Sequence, residues 1–376
     1  MKDLLKEYGE NIKDKLFQIS DYIYENPELG NKEFKAVDTL TSFLSEHGFE
    51  IEKNLAGMET AFKAVFDSKK SGPIIGYLCE YDALPEIGHG CGHNMIGAMS
   101  AGAGVILSKV LDNIGGKIIV YGTPAEETNG GKVILAEAGE FDELDAAMIV
   151  HPDGETRASG SSTALYPIRF TYTGKTAHAA SCPEKGINAL NAVIHLFTGI
   201  DALRQHVTPD VRIHGIITKG GVAANIVPGE AVAEFYVRAS KKATMENVLE
   251  KVKSIAQGAA LMTGATLEMD RYELPYDDLK TNEALSDLFN NNLKELGITK
   301  LLPAKSGGGS SDIGNVSHIT PTIHPYLGIT DCPMVGHSVE MACSTITDMA
   351  HERLLIGALA MAYTGYDIIS NKINLK

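Results

Sequence analysis

His89-Gly90-Cys91-Gly92-His93-Asn94 is a short polar stretch between two apolar segments of the chain. Residues 73–79 are almost wholly apolar and end at Glu80-Tyr81-Asp82, a pattern typical of a buried parallel strand. Residues 94–111 are rich in Ala, Gly, Met and aliphatic residues, which predicts a tightly packed helix. The polar stretch therefore connects a strand to a helix at the carboxyl edge of a sheet, where open α/β sheets bind ligands.

Strands and helices alternate on both sides of this stretch. The alternation predicts an α/β fold with a mostly parallel mixed sheet flanked by helices. The predicted helices cover residues 3–25, 32–47, 94–112 and 130–139, and the predicted strands cover residues 50–55, 60–66, 73–79, 116–122 and 146–150.

The pattern changes after a small, polar segment at residues 154–162. Residues 162–274 follow the order β-α-β-β-α-β, which predicts a ferredoxin-like α+β domain inserted into the first one. From residue 275 the first pattern returns, so we expect one domain made of residues 1–161 and 275–376. Its last part comprises a predicted helix at 281–296, a glycine-rich loop at 307–312, a strand at 321–328 and a helix at 345–369.

Composition excludes several kinds of protein. A chain of 376 residues exceeds one ordinary core, and its 44% hydrophobic residues are typical of a globular protein. The net charge of −15 argues against nucleic acid or an anionic membrane as partner. No uninterrupted apolar run approaches the roughly 18 residues of a membrane helix. The five cysteines form an odd, scattered set, which favours a cytoplasmic protein over a disulfide-linked one.

Three successive strand ends carry groups that bind metals or transfer protons. They are the segment from Asp82 to His93, the pair Glu126-Glu127, and His151. Because parallel neighbouring strands end along one sheet edge, we expect these side chains to converge. Thiolate, imidazole and carboxylate together suit zinc, manganese or another borderline ion.

Each of these residues also has an ordinary structural explanation. Glu126 and Glu127 fit a solvated loop, and His151 fits a strand end that binds a backbone carbonyl. Cys91 and His93 alone would make a structural zinc site, but such sites need four closed ligands and are usually rich in cysteine.

The motifs together resemble a known family. Cys91-Gly92-His93, Pro124-Ala125-Glu126-Glu127, the His151 strand end and the inserted domain are similar to the aminoacylase/carboxypeptidase metallopeptidases, metallopeptidase family 20. The resemblance begins at residues 26–30 and covers nearly the whole chain. Residues 309–317 and 323–326 resemble late motifs of the subfamily that holds p-aminobenzoyl-glutamate hydrolase and the cytosolic β-alanyl dipeptidase-like proteins.

The resemblance implies a site for two divalent metal ions, zinc or manganese. Cys91 would bridge the ions, and a late histidine would complete the set. We assign that histidine to His337, because a glycine precedes it and a helix follows it, with His318 and His324 as competitors. The implied ligands are Cys91, His93, Glu127, His151 and His337.

The same resemblance implies roles for residues next to the ligands. Glu126 would be the general base, a role worth about 10²–10⁴ in rate. Asp82 would orient a ligand, as metal-bound histidines usually require. Asn94 stands where many relatives have Asp, which removes one negative charge beside the site.

The inserted domain contributes further candidates. By resemblance, His178 would stabilise the oxyanion, often in a partner's active site, although a loop histidine in water is the ordinary explanation. Asn225, Arg238 and Ser310 resemble substrate-contacting positions, and Arg238 suits a substrate carboxylate. An exposed edge strand and helix would let two copies pair, so we expect a homodimer or homotetramer.

The implied activity is hydrolysis of an amide bond in small N-acyl amino acids, dipeptides or p-aminobenzoyl-glutamate-like substrates. The alternatives are a peptidase that accepts longer peptides and a binding or scaffold protein that keeps the fold without catalysis. Loss of Glu126 or of two ligands would indicate a scaffold, and this chain has lost none of them.

Overall fold

A computed structural model of the chain describes residues 1–307, 309–371, 373 and 375. The chain forms two compact units, Met1–Ser161 with Leu279–Lys376, and Ser162–Asp278. The predicted loop at 307–312 lies in the first unit, and its Gly308 lies outside the described residues. The division into a catalytic and an inserted domain, with the boundaries given above, stays a prediction.

The helices and strands are numbered in chain order. The helices are α1 (Lys2–Glu25), α2 (Phe34–Glu46), α3 (His93–Ile114), α4 (Gly131–Glu137), α5 (Ala189–Arg204), α6 (Lys242–Thr263), α7 (Glu283–Glu295), α8 (Ile313–Ser317), α9 (Val339–Ser344) and α10 (Asp348–Asn371). The strands are β1 (Glu50–Lys53), β2 (Phe62–Asp67), β3 (Ile74–Cys79), β4 (Lys117–Gly122), β5 (Ala146–Met148), β6 (His151–Asp153), β7 (Ala164–Thr173), β8 (Arg212–Lys219), β9 (Glu230–Ala239), β10 (Thr266–Asp270), β11 (Thr322–Ile323) and β12 (Tyr326–Gly328).

The first unit is built on a six-stranded sheet in the order β1-β2-β4-β3-β5-β11. Strand β3 pairs in parallel with β4 and β5, and β5 pairs in parallel with β11. Strands β1 and β2 extend the sheet with antiparallel pairing. The predicted mixed, mostly parallel sheet with flanking helices is confirmed. Its consequence for function is that β3, β4 and β5 end along one edge.

Helix α3 is the central helix of this unit and packs against β3, β4, α1 and α10. Its small residues allow this close packing, because a helix surrounded on all sides has little room for long side chains. By length and composition α3 could cross a membrane, yet 94% of its apolar window is buried inside the protein. A buried core helix passes the same test, so this apolarity is explained by packing.

The second unit has a four-stranded antiparallel sheet in the order β10-β7-β9-β8. Helices α5 and α6 pack on it, and alternate residues of β9 are buried against them, as the period of two requires. This arrangement confirms the predicted ferredoxin-like fold. Strand β8 lies at one edge of the sheet.

The structure differs from the sequence predictions in two places. The predicted strand at 321–328 is two strands, β11 and β12, and β12 pairs with β6 in a separate two-stranded sheet. His151 therefore begins β6 instead of ending β5. Pro325 lies between β11 and β12 and has no N–H to donate, which ends one ladder before the next begins. The predicted last helix is also divided, into α9 and α10.

Two helical glycines provide a matched test of the packing around α3. A Cβ at Gly104 would lie 2.6 Å from Cγ2 of the buried, β-branched Val120, whereas a Cβ at Gly258 in α6 would meet nothing within 4 Å. We expect Gly104→Ala to lower the free energy of unfolding by about 1–3 kcal/mol. Gly258→Ala should raise it by up to about 1 kcal/mol. Hydrogen exchange of the α3 and α6 amides measures each effect, and increased protection of α3 in Gly104→Ala would contradict the packing argument.

Candidate metal centre

Side chains from four separate segments of the first unit converge at the carboxyl edge of its sheet. The ligand atoms of Cys91, His93 and His151 all lie within 4.8 Å of one another. The same holds for Cys91, Glu127 and His337, and for His93 with Glu126 and Glu127. Cys91 is common to the first two groups, which is the arrangement a bridging ligand requires. More than two donors meet here, which disfavours a structural site made of Cys91 and His93 alone.

The late histidine of this cluster is His337. Its Nε2 atom lies 3.6 Å from Oε1 of Glu127, and its backbone N–H donates to Gly90 O at 3.0 Å. His324 is instead buried, with its ring 5.5 Å from that of His151, and burial together with His151 lowers its pKa to about 3. His318 follows α8 and belongs to none of the clusters found among the described residues.

The Asp82 carboxylate connects two of the converging segments. His93 Nδ1 donates to Asp82 Oδ1 at 2.9 Å, and the backbone N–H of Glu127 donates to Asp82 Oδ2 at 2.9 Å. His151 Nδ1 likewise donates to Pro152 O at 2.7 Å. These bonds place the proton of each imidazole on Nδ1 and leave both Nε2 atoms as lone-pair donors toward the cluster.

The charges of the cluster fit a bound cation. Glu127 Oε1 is buried and has no hydrogen-bond partner among the described residues. Burial and the Glu127 carboxylate raise the pKa of the Cys91 thiol. Burial also lowers the pKa of His93, but the Asp82 and Glu80 carboxylates outweigh it and raise that pKa to about 10. Such a surplus of buried anionic donors, with sulfur and nitrogen among them, suits zinc or a similar divalent ion.

The turn after β4 directs Glu126 and Glu127 to different partners. Its backbone is constrained, because Ala125 has a φ of +60° and donates its N–H to the buried Glu33 carboxylate at 2.8 Å. Glu127 faces the thiol and His337, whereas Glu126 accepts a hydrogen bond from Ser311 Oγ at 2.7 Å. Burial and the nearby carboxylates of Glu80 and Asp312 raise the pKa of Glu126.

Sequence reasoning missed a buried charge network behind this turn. Lys132 is completely buried, with Nζ 2.6 Å from Glu80 Oε1 and 2.7 Å from Asp312 Oδ1. Glu80 Oε2 lies 3.4 Å from His93 Nε2, so the network reaches the cluster. The available signal was a lysine in the otherwise apolar start of α4, which matters only if a buried carboxylate faces it.

The remaining candidates lie elsewhere. Asn94 donates to the hydroxyls of Ser20 at 3.0 Å and Thr345 at 3.2 Å, so the residue that replaces Asp joins a neutral buried network. Ser310 is half-buried in the loop that carries Ser311.

In the second unit, His178 is exposed and its Nδ1 accepts backbone N–H groups of Ala180 and Ser181 at 3.2 Å. This assigns its proton to Nε2. Asn225 is close by, since its carbonyl accepts from Ala179 N at 3.0 Å. Arg238 lies near the other end of β9, roughly 25 Å along the strand from Glu230, and stacks on Tyr236. The unit therefore brings His178 and Asn225 together but separates Arg238 from them.

Asp82→Asn tests the connection between His93 and Glu127. Both partners of Asp82 are N–H donors, and an asparagine amide would present its own N–H₂ to one of them. We expect zinc affinity to fall about 10–100-fold, the usual effect of losing a carboxylate behind a metal-bound histidine. Titration against a competing chelator measures this. Asp38→Asn, at an exposed carboxylate paired with Lys53, is the control, and equal affinity of both variants would contradict the assignment.

Comparisons with known proteins agree with this geometry. Residues 167–262 match the family described as "Peptidase dimerisation domain". The chain is 36% identical over 377 residues to "Xaa-Arg dipeptidase" of Mus musculus, covering 95% of this chain and 86% of that protein. It is 33% identical over 300 residues to one of the two kinds of subunit of p-aminobenzoyl-glutamate hydrolase from Escherichia coli, covering 74% of this chain and 62% of that protein.

The fold is also that of a solved structure described as a dinuclear metal-binding peptidase from Bacillus subtilis. The TM-score is 0.71 at 19% identity, and the alignment covers 96% of this chain and 99% of that one. Likeness at this identity shows the fold, whereas the dipeptidase relative shows the family. The chain belongs to metallopeptidase family 20, the aminoacylase/carboxypeptidase family, and is a metal-dependent hydrolase of amide bonds.

Proposed function

We propose that the protein cleaves the amide bond of dipeptides or small N-acyl amino acids with Glu126 as general base. The observation that carries the proposal is the divergence of two adjacent glutamates. Glu127 joins the thiol and His337, while Glu126 is bound by Ser311 and stays within reach of His93. One carboxylate is thus available to a cation and its neighbour to a water molecule.

The proposed metal ligands are the five residues of the cluster, and zinc or manganese suits them. When bound, divalent cations supply a water of lowered pKa and polarise the substrate carbonyl. Glu126 takes a proton from the attacking water as the C–O bond forms. It then donates that proton to the amide nitrogen as the C–N bond breaks, so that the products are a carboxylic acid and an amine. The five ligands are Cys91, His93, Glu127, His151 and His337.

Residues of the second unit are proposed to contact the substrate. The proton on His178 Nε2 faces outward from a loop, which suits donation to the developing oxyanion, in its own active site or in a partner's. Asn225 shares that end of the unit, and Arg238 is proposed to hold a substrate carboxylate. In the first unit, Ser310 is proposed to contact the substrate from the loop beside Glu126.

The proposed substrate class rests on the names of two relatives. An Xaa-Arg dipeptide and p-aminobenzoyl-glutamate share one chemical feature, an amide bond next to a free carboxylate. An acidic protein that hydrolyses such compounds needs a localised cation for that carboxylate, and Arg238 is a candidate.

A homodimer or homotetramer is proposed to form through the second unit. Strand β8 ends the sheet order, and Ile216 and Ile217 on it are 63% and 45% exposed. An edge strand with exposed apolar side chains favours pairing with a second copy. The match of this segment to a peptidase dimerisation domain supports the same proposal.

We propose a cytoplasmic location. All five cysteines are free thiols, and Cys332 and Cys343 are exposed. Exposed thiols persist in a reducing compartment, whereas secreted proteins usually pair them.

Glu126→Gln separates the two glutamates. The amide cannot accept the proton, so we expect kcat to fall about 10²–10⁴-fold while metal content stays at the wild-type level. Glu127→Gln should instead lose metal, because it removes the charge of a proposed ligand. Amide hydrolysis and metal analysis are measured on the same preparations. Parallel loss of metal and turnover in Glu126→Gln would contradict the division of roles.

A substrate screen tests the activity itself. The purified protein, analysed for metal and supplied with zinc or manganese, is offered Ala-Arg, p-aminobenzoyl-glutamate, N-acetyl amino acids and an end-blocked internally quenched peptide. We expect turnover of one of the compounds with a free carboxylate, its loss on chelation, and no cleavage of the blocked peptide. Cleavage of the blocked peptide would favour a peptidase, and no turnover with bound metal would favour a scaffold protein.

A further inference from the structure

The carboxylate of Glu126 is bound by a segment that lies far from it in the chain. Ser311 Oγ donates to Glu126 Oε1 at 2.7 Å, across 185 positions of sequence. Ser311 is half-buried, and Glu126 lies in the turn that leads from β4 toward α4. A hydrogen bond to a charged group is stronger than one between neutral groups, and a short one restricts the side chain to one orientation.

The residue after Ser311 anchors this segment to α4. Asp312 Oδ1 accepts from Lys132 Nζ at 2.7 Å, and its Oδ2 accepts from the backbone N–H of Lys132 at 3.0 Å. Two bonds to one residue fix both the position and the rotation of the Asp312 carboxylate. Because Asp312 is completely buried, it holds the neighbouring Ser311 in place at the edge of the cluster.

Lys132 closes the connection back to the glutamate turn. Its Nζ also binds Glu80 at the end of β3, at 2.6 Å, and its side chain is completely buried. A buried ammonium between two carboxylates is held rigidly, since losing either partner leaves an uncompensated charge. The Glu126 turn, the start of α4 and the Ser311–Asp312 segment therefore form a closed ring of contacts within the first unit.

We propose that Ser311 is a positioning residue that holds the Glu126 carboxylate in its reactive orientation, with Asp312 and Lys132 fixing the segment that carries it. This inference rests on the proposed role of Glu126 as base. Ser311 acts on the reaction through Glu126. Its loss lets the carboxylate rotate, and displacement of a catalytic group by about 1 Å can cost about 10²-fold in rate.

Ser311→Ala is the central variant because it removes the hydroxyl and leaves the buried Lys132 pairs intact. With a substrate that the wild type hydrolyses, for example Ala-Arg, we expect kcat to fall about 10–100-fold. KM should stay within about twofold and metal content should be unchanged, since Ser311 touches neither in the proposal. Ser311→Thr keeps the hydroxyl and is expected to restore kcat to within a few-fold of the wild type.

Ser108→Ala is the matched control. Ser108 is also a buried serine, and it donates to the backbone carbonyl of Val105 at 2.8 Å inside α3. It removes the same atom without a connection to Glu126, so kcat should be unchanged. Thermal unfolding of all three variants shows whether any loss of kcat follows from loss of stability.

A double-mutant cycle decides whether Ser311 acts through Glu126. In the Glu126→Gln background, Ser311→Ala should change the residual turnover less than about twofold, because the base is already absent. Equal effects in both backgrounds, an unchanged kcat in Ser311→Ala, no recovery in Ser311→Thr, or a raised KM at constant kcat would each overturn the inference. If Glu126→Gln alone keeps wild-type turnover, the proposed function fails instead, whatever Ser311→Ala does.

Discussion

The structure of the candidate centre depends on the carboxylate of Asp82. It lies just after β3, and it binds the first residue of α3 through His93 and the turn after β4 through the backbone of Glu127. A strand, a helix and a neighbouring turn are thereby brought to a common distance from one point. Asp82 is buried, so these two bonds operate without competition from water and are costly to lose.

Around Asp82 the protein accumulates buried acids, and its own cations balance them only in part. Lys132 neutralises the pair Glu80 and Asp312, behind the turn. On the other side, the Cys91 thiol and the unpartnered oxygen of Glu127 face the histidines. This asymmetry separates two functions. A fixed ammonium stabilises the scaffold, whereas the donors toward the open side are suited to divalent ions, which also explains why the fold tolerates so many acids in its core.

Two short strands show how local sequence can suggest the right residue for an inexact reason. His151 does contribute to the cluster, yet it begins β6, which pairs with β12 outside the main sheet. Pro325, without an N–H, separates β11 from β12, and the chain turns so that His324 is buried beside His151 while His337 reaches Glu127. Neither fact follows from hydrophobic periodicity.

The sequence by itself determined the fold class and the identity of the converging donors. Alternating apolar strands and helices are local patterns, and the carboxyl ends of parallel strands must meet at one edge. It did not determine the Ser311 bond to Glu126, the Asp312–Lys132–Glu80 network or the Glu33 contact with the glutamate turn. Those pairs join residues 92 to 185 positions apart, or charges that look like surface residues until their burial is known. Only tertiary packing decides which buried charge faces which partner, because no local preference of the chain specifies contacts at that separation.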